Sequence, residues 1–235
     1  MLKKEITVVI PAKNEVENIP RVISSIIRQS GSTGIRIIVA DGGSTDGTQA
    51  AVLHEARIHS QQAQIELITG GTVSRGRNAG LALVKTWSVV FIDADVELSH
   101  PDMLMKTVEL LATNRLIGAP LASRSGWRSS LAYAAFNLCN RIISLKHPFA
   151  VGNYLAGRTH LIRHWGGFDE TLIHSEDWVL SGHCRPRHYK RLRHAAIVDD
   201  RRFRRFGYIK MFKMMMNSLL QGKDYMRRDN GYWNS

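Results

Sequence analysis

The first half of the chain alternates in a way that leaves few folds open. Four apolar or β-branched runs, residues 6–10, 36–40, 65–69 and 89–92, each end in polar or turn-forming residues. Helix-like segments separate them: residues 18–29 put Ile19, Val22, Ile23, Ile26 and Ile27 on one face, and residues 45–60 form a second amphipathic stretch. Strand, helix, strand, helix in this order requires a mostly parallel sheet with right-handed crossovers, flanked by helices. The expected class is therefore α/β with a Rossmann-like sheet, and ligands of such sheets bind beyond the carboxyl ends of the strands.

Composition fits a folded domain rather than a disordered tail, since 44% of the 235 residues are hydrophobic and only 22% are charged. The two cysteines, Cys139 and Cys184, form no CxxC and give neither a disulfide framework nor a zinc site, so a reducing compartment is expected. The apolar run at residues 6–11 is short and ends in proline, unlike a secretory leader. A membrane span needs about eighteen apolar residues, and the best stretch, residues 131–145, is interrupted by Asn137, Asn140 and Arg141. A cytoplasmic protein is the expectation.

The post-strand residues are Pro11-Ala12-Lys13-Asn14-Glu15, Asp41-Gly42-Gly43-Ser44-Thr45-Asp46-Gly47 and Asp93-Ala94-Asp95. All three are polar or acidic and belong on one sheet edge, which reads as a site rather than a set of connectors. Asp93 and Asp95 project to one side if the segment stays extended. Such a pair suits a hard cation, Mg2+ or Mn2+, completed by substrate phosphates, with Glu97 available as a further contact. The competing reading is a solvated loop that caps a helix at Pro101. Ser44 and Asp46 read as turn and capping residues, whereas Asp41 has no capping duty and is available to a base or ribose. Residues 74–80 open another helix with Arg75 and Arg77, either a diphosphate clamp or solvent-facing side chains.

The second half is less regular. Helices are expected over residues 101–113 and 129–145, the latter with Leu131, Phe136, Leu138 and Ile142 available for packing. Gly166-Gly167-Phe168-Asp169 and Glu176-Asp177-Trp178 follow, then Arg201-Arg202-Phe203-Arg204-Arg205 and a Met-rich helix over residues 208–221.

The segments VVIPAKNE, VADGGSTDGT, SRGRNAGLALVKT, FIDADVEL, GRTHLIRHWGGFDE and HSEDWVLSGH, in this order and spacing, resemble family 2 of the nucleotide-sugar glycosyltransferases, which have the GT-A fold. The resemblance covers about residues 5–205. It implies a domain over residues 1–200, with a donor half to about residue 100 and an acceptor half beyond it, followed by a basic, Met-rich appendage at 201–235. It also implies metal-dependent, inverting transfer from a nucleotide-diphosphate sugar, a UDP-sugar by family frequency, to an acceptor hydroxyl. By that similarity Pro11, Ala12, Glu15 and Asp41 hold the nucleoside and Arg75 contacts the nucleotide. Asp93, Ala94 and Asp95 form the metal and diphosphate site for Mn2+ or Mg2+, with Asp95 the most direct ligand. Asp177 is the catalytic base and Glu176 the second choice. Gly166 and Gly167 shape the acceptor side, and Trp178 lines it or packs in the core. Arg202, Arg204 and Arg205 stand where relatives often carry a mobile basic loop that meets the diphosphate or an acceptor phosphate. No Gln-x-x-Arg-Trp follows the Glu176-Asp177 pair, so single addition is favoured over processive synthesis.

The formal net charge is +12, with 14 basic and 4 acidic residues in 185–235 against 18 and 16 before it. Such an end suits an anionic membrane surface, a phosphorylated or lipid-linked acceptor, or nucleic acid, and a plainly solvated basic surface is the alternative. Phe203, Phe206, Tyr208 and Tyr225 among the arginines keep nucleic acid open. A sugar-phosphate nucleotidyltransferase and a non-catalytic nucleotide-binding protein are the remaining alternatives. The former is disfavoured because PAKNE, rather than a Gly-rich basic loop, follows the first strand.

Overall fold

The computed structural model describes residue 2, residues 5–124 and 126–199, and, beyond these, residues 207, 217 and 223–227. Its main sheet has seven strands. In chain order the elements begin β1 (Ile6–Ala12), α1 (Ile19–Ile27), β2 (Ile35–Asp41), α2 (Thr48–Ile58), β3 (Ala63–Thr69), α3 (Val73–Leu83) and β4 (Ser88–Ile92). After these come β5 (Val96–Leu98), α4 (Met103–Leu111), β6 (Leu116–Gly118), β7 (Leu121–Ser123), α5 (Trp127–Ile143), β8 (Tyr154–Arg158) and α6 (Thr159–His164). The remainder is α7 (Glu176–Ser181), β9 (Tyr189–Arg191), β10 (Ala196–Val198) and a short helix α8 (Lys223–Met226).

The main sheet runs β3-β2-β1-β4-β8-β6-β9, and β8 is antiparallel to both of its neighbours while the other pairings are parallel. The small sheet runs β5-β10-β7. The parallel part, β3-β2-β1-β4, is the part the apolar runs foretold. Its central strands are buried on both faces, which is why β1 and β4 read as continuous hydrophobic runs rather than as alternations.

Helix α1 covers one face through Ile19, Val22, Ile23 and Ile26, all fully buried. Each such side chain contributes roughly 1.5–3 kcal/mol of burial. Pro20, near the start of the helix, pre-sets the backbone where a missing N–H costs nothing. Helix α3 lies close on the sheet because Gly80 has no side chain; a Cβ there would overlap Val9. Gly76, one turn earlier, rests against Ala40 and Pro11. This small-residue face seats the start of α3 beside the carboxyl ends of β1 and β2.

The second half departs from expectation in two respects. Its strands are mostly three residues long, too short for an apolar pattern to declare them. Helix α5 also turns the other way. Leu131, Leu138 and Ile142 are exposed, and Ser129, Tyr133 and Asn140 are the buried residues. The physical reason is hydrogen bonding: Asn137 pairs with the backbone of Leu121, accepting at 2.9 Å and donating at 2.7 Å, so a polar side chain docks the helix on β7. Phe136 alone of the expected packing set reaches the core.

Arg202, Arg204, Arg205 and the Met-rich stretch at 208–221 lie outside the described residues, apart from Asn217. The described part of the appendage packs on the main domain. Met226 is buried, and its carbonyl accepts from Ile173 N–H at 2.9 Å. Among the described residues no helix is long and apolar enough to cross a membrane.

Candidate active site

Three loops at the carboxyl edge of the parallel strands are sewn together. Asn14, held at φ +55°, donates its N–H to Ser44 Oγ at 2.9 Å and accepts from Thr45 N–H at 2.9 Å. Glu15 N–H donates to Thr48 Oγ1 at 2.8 Å, and Val16 N–H to Asp46 Oδ2 at 3.1 Å. Asp46 and Ser44 thus hold the first two loops together, as a turn-and-cap reading expects. Gly42 and Gly70 let the second and third loops close, since a Cβ at Gly42 would stand 2.6 Å from the carbonyl of Gly71.

Asp41 is buried, and here the sequence reading needs correction. Its carboxylate accepts from Gly43 N–H, Ser44 N–H, Ser44 Oγ at 2.5 Å and Gln49 Nε2 at 2.7 Å. It therefore has a structural duty in folding the loop after β2. Burial opposes ionisation, but those donors outweigh it and hold the carboxyl below its ordinary range. Pro11 and Ala12 are buried at the end of β1, paired in register with Ala40 and Asp41. The Glu15 carboxylate accepts from Asn18 Nδ2 at 2.6 Å.

The Asp93-Ala94-Asp95 segment does not stay extended. Val96 N–H donates to Asp93 O at 3.1 Å, so the chain turns at the end of β4 before β5 begins. Asp93, Ala94 and Asp95 are all buried in that turn. Glu97 lies on β5 and is ion-paired with Arg124 at 2.5 Å, which engages it away from the pair.

Arg77 is the residue that sequence reasoning placed wrongly. It neither faces solvent nor stands open as a diphosphate clamp. It is 1% exposed, and its Nη2 donates to Asp93 Oδ1 at 2.7 Å while its Nη1 pairs with Glu176 Oε1. Asp93 and Glu176 keep the guanidinium charged despite its burial. The aromatic ring of Phe168 lies beneath it, 5.1 Å from the guanidinium carbon, and packs edge-on against Phe91. The signal was present: Ser74, Arg77, Gly80 and Leu81 share one helical face, and all four are buried.

Arg77 ties the turn after β4 to the start of α7, where Glu176 and Asp177 stand side by side. Ser175, just before them, holds φ +63°, a left-handed conformation costing about 1–2 kcal/mol for a residue with a side chain. Asp177 Oδ2 accepts from Gly152 N–H at 2.6 Å and Oδ1 from Trp178 N–H at 2.8 Å. Desolvation, then the neighbouring Glu176 charge, raise its pKa to about 7, against the opposing pull of Arg77 and the two N–H groups. Gly152 performs a second task, because a Cβ there would overlap Arg77 Nη2. No local pattern singles out Gly152, whose importance arises only from what packs against it.

The Gly166-Gly167-Phe168-Asp169 segment is a shaped connector. Both glycines have positive φ, +87° and +69°. Asn78 of α3 clamps the segment, donating to Phe168 O and accepting from Phe168 N–H, both at 2.9 Å. Gly167 lies against Asn78, with no room for a Cβ. Arg75 is exposed and near Glu170 at 3.5 Å. Trp178 is half-buried, stacked on His147 at 3.8 Å and edge-on to Phe149 at 5.1 Å.

The geometry thus unites Asp93 with Glu176 through one guanidinium, with Asp177 beside them. Asp41, Pro11 and Ala12 lie on the same edge, two strands or fewer from β4 and so within roughly 10 Å along the sheet. Among the described residues no group of three or more His, Cys, Asp and Glu side chains forms a complete metal cage. Two carboxylates in one tight turn fit a hard divalent cation whose remaining ligands come from a diphosphate.

The sequence model of the family described as "Glycosyl transferase family 2" matches residues 7–166. The chain is 27% identical over 194 residues to the succinoglycan biosynthesis protein ExoO of Rhizobium meliloti, covering 75% of this chain and 54% of that protein. The fold is similar to that of a mannosyltransferase from Pyrobaculum calidifontis solved with GDP-Man and Mn2+: TM-score 0.67, 21% identity, 91% of this chain and 64% of that one. It is also similar to glucosyl-3-phosphoglycerate synthase from Mycobacterium tuberculosis, solved with Mn2+, UDP-glucose and phosphoglyceric acid: TM-score 0.60, 20% identity, 97% and 82% coverage. The chain spans about half or less of the length of the curated relatives it matches.

Proposed function

The chain belongs to glycosyl transferase family 2, and from that premise we propose that it moves one sugar from a nucleotide-diphosphate donor to an acceptor hydroxyl with inversion. The observation that carries this reading is the Arg77 bridge, which ties Asp93 to the segment bearing Glu176 and Asp177. A donor-diphosphate site and a proton acceptor then share one rigid frame.

Asp177 is the proposed base. Its pKa of about 7 matches the task, because a base poised near the working pH is ionised often enough and still basic enough. Each carboxylate oxygen holds one backbone N–H and retains a second lone pair for the incoming proton. The acceptor oxygen bonds to the anomeric carbon as the carbon–oxygen bond to the diphosphate breaks. The acceptor's proton passes to Asp177, and the bonding electrons leave with the nucleoside diphosphate. One displacement with a base on the acceptor side inverts the centre.

Asp93 and Asp95 are the proposed holders of Mn2+ or Mg2+, which when bound supplies Lewis-acid stabilisation of the leaving diphosphate. Arg77 fixes Asp93 in place and Glu176 orients Arg77. Pro11, Ala12, Glu15 and Asp41 are proposed to face the nucleoside, and exposed Arg75 to reach the nucleotide. Gly167 and Trp178 shape the acceptor side. Arg202, Arg204 and Arg205 remain proposed contacts for a diphosphate or acceptor phosphate.

The test is a thermal-shift screen of nucleoside diphosphates with and without Mn2+, followed by assay of the matching nucleotide sugar. Stabilisation that needs both nucleotide and cation, together with consumption of the sugar donor, is expected. A nucleotide that binds and is never consumed, whatever acceptor is supplied, would leave a binding protein instead.

A further inference from the structure

Five large apolar side chains of α5 and the turn after it stand in solvent: Trp127, Leu131, Leu138, Ile142 and Leu145, from 59% to 74% exposed. At 100° per residue they fall within about 60° of arc, forming one stripe roughly 27 Å long at 1.5 Å per residue. Ala134 and Ala135, also exposed, fill the middle. Soluble surfaces carry scattered exposed hydrophobic residues, but an aligned row of this length marks a contact.

Charge identifies the contact. Arg128 and Lys146 border one side of the stripe and Arg141 the other, all exposed. No acidic residue occurs anywhere between Glu109 and Asp169. The helix is held to the domain by its opposite face, through Tyr133, Asn137 and Asn140, so its outward face is free of structural duty. Its polar inner residues also exclude a role as a crossing segment. An apolar stripe with a cationic border and a terminal tryptophan is the pattern of a helix lying in the headgroup region of an anionic bilayer.

We propose that α5 is the membrane-docking face of this protein, lying flat on an anionic lipid surface with Trp127, Leu131, Leu138, Ile142 and Leu145 inserted. The assignment is independent of the transfer reaction and of residues 201–235.

The test is co-sedimentation of the full chain with phosphatidylglycerol/phosphatidylcholine vesicles, beside phosphatidylcholine alone. The triple variant Leu131→Gln, Leu138→Gln, Ile142→Gln touches only exposed positions, and unchanged circular dichroism and thermal midpoint verify that it folds. It should lose at least about tenfold in vesicle affinity. Arg128→Glu with Arg141→Glu should abolish the preference for anionic lipid. Brominated lipid should quench part of the tryptophan emission, and Trp127→Phe should remove that part. Binding that survives the triple variant would place the membrane contact elsewhere and overturn the assignment. So would a parent chain that ignores vesicles, whether it dimerises or shifts duplex DNA through α5.

Discussion

Arg77 donates to Asp93 at 2.7 Å, joining residues from a helix and from the turn after a central strand, and its other nitrogen pairs with Glu176. One buried cation therefore holds two carboxylates that would otherwise repel each other. Removing it leaves both charges buried without their partner, the costly direction for a buried ion pair. Arg77→Ala is expected to lose about 3–5 kcal/mol of stability, read from urea unfolding. Arg77→Lys retains charge but lacks the planar fork that reaches two acceptors. It should recover part of the stability while leaving transfer depressed, a split that a purely structural arginine would not give.

Asp177→Asn is expected to keep nucleotide-dependent thermal stabilisation and to lose transfer by roughly 10²- to 10⁴-fold, the usual range for a general base. The comparison is made at saturating donor, so that binding and turnover are read separately. Undiminished turnover would reassign the base, with Glu176 next in line.

The raised pKa of Asp177 gives two pH effects of opposite sense. Activity needs the carboxylate, so kcat/KM should climb with unit slope below about 7 and level off above it. Stability behaves in reverse. The folded state holds this proton more tightly than the unfolded chain, whose carboxyl titrates near 3.9. Its contribution is therefore fully present below about 4 and lost as pH rises through about 7. The difference between parent and Asp177→Asn unfolding energies, followed across that window, isolates the effect from the lowered carboxyls Asp41, Asp46 and Glu66.

Gly152→Ala pushes a methyl group into Arg77 Nη2 and disturbs the N–H that Asp177 accepts. Overpacking of this kind costs about 1–3 kcal/mol, visible as a lower thermal midpoint. Loss of the short N–H bond to the carboxylate should also move the acidic limb of the pH–rate profile upward, because that bond favours the charged form.

Asp95→Ala should abolish the extra stabilisation that Mn2+ adds to a bound nucleoside diphosphate. Thermal shift with and without chelator reads this directly. An unaltered Mn2+ response would remove Asp95 from the proposed cation site.

The apolar runs and helical spacing of the sequence determined the parallel half of the sheet, because those patterns arise from which faces of a strand or helix meet water. They also determined that Asp41, Asp93 and Asp95 share one edge, since strands running in parallel bring their carboxyl ends together. Tertiary structure alone decided what those residues touch. Arg77 and Glu176 are ninety-nine positions apart, Gly152 and Asp177 twenty-five, and no local pattern records a partner at such a distance. The same holds for α5, whose amphipathic spacing fixed that one face is apolar but not which face turns inward. In the fold Asn137 hydrogen-bonds the backbone of β7, so the polar face turns inward, a pairing with a distant strand that the helix's own spacing does not record.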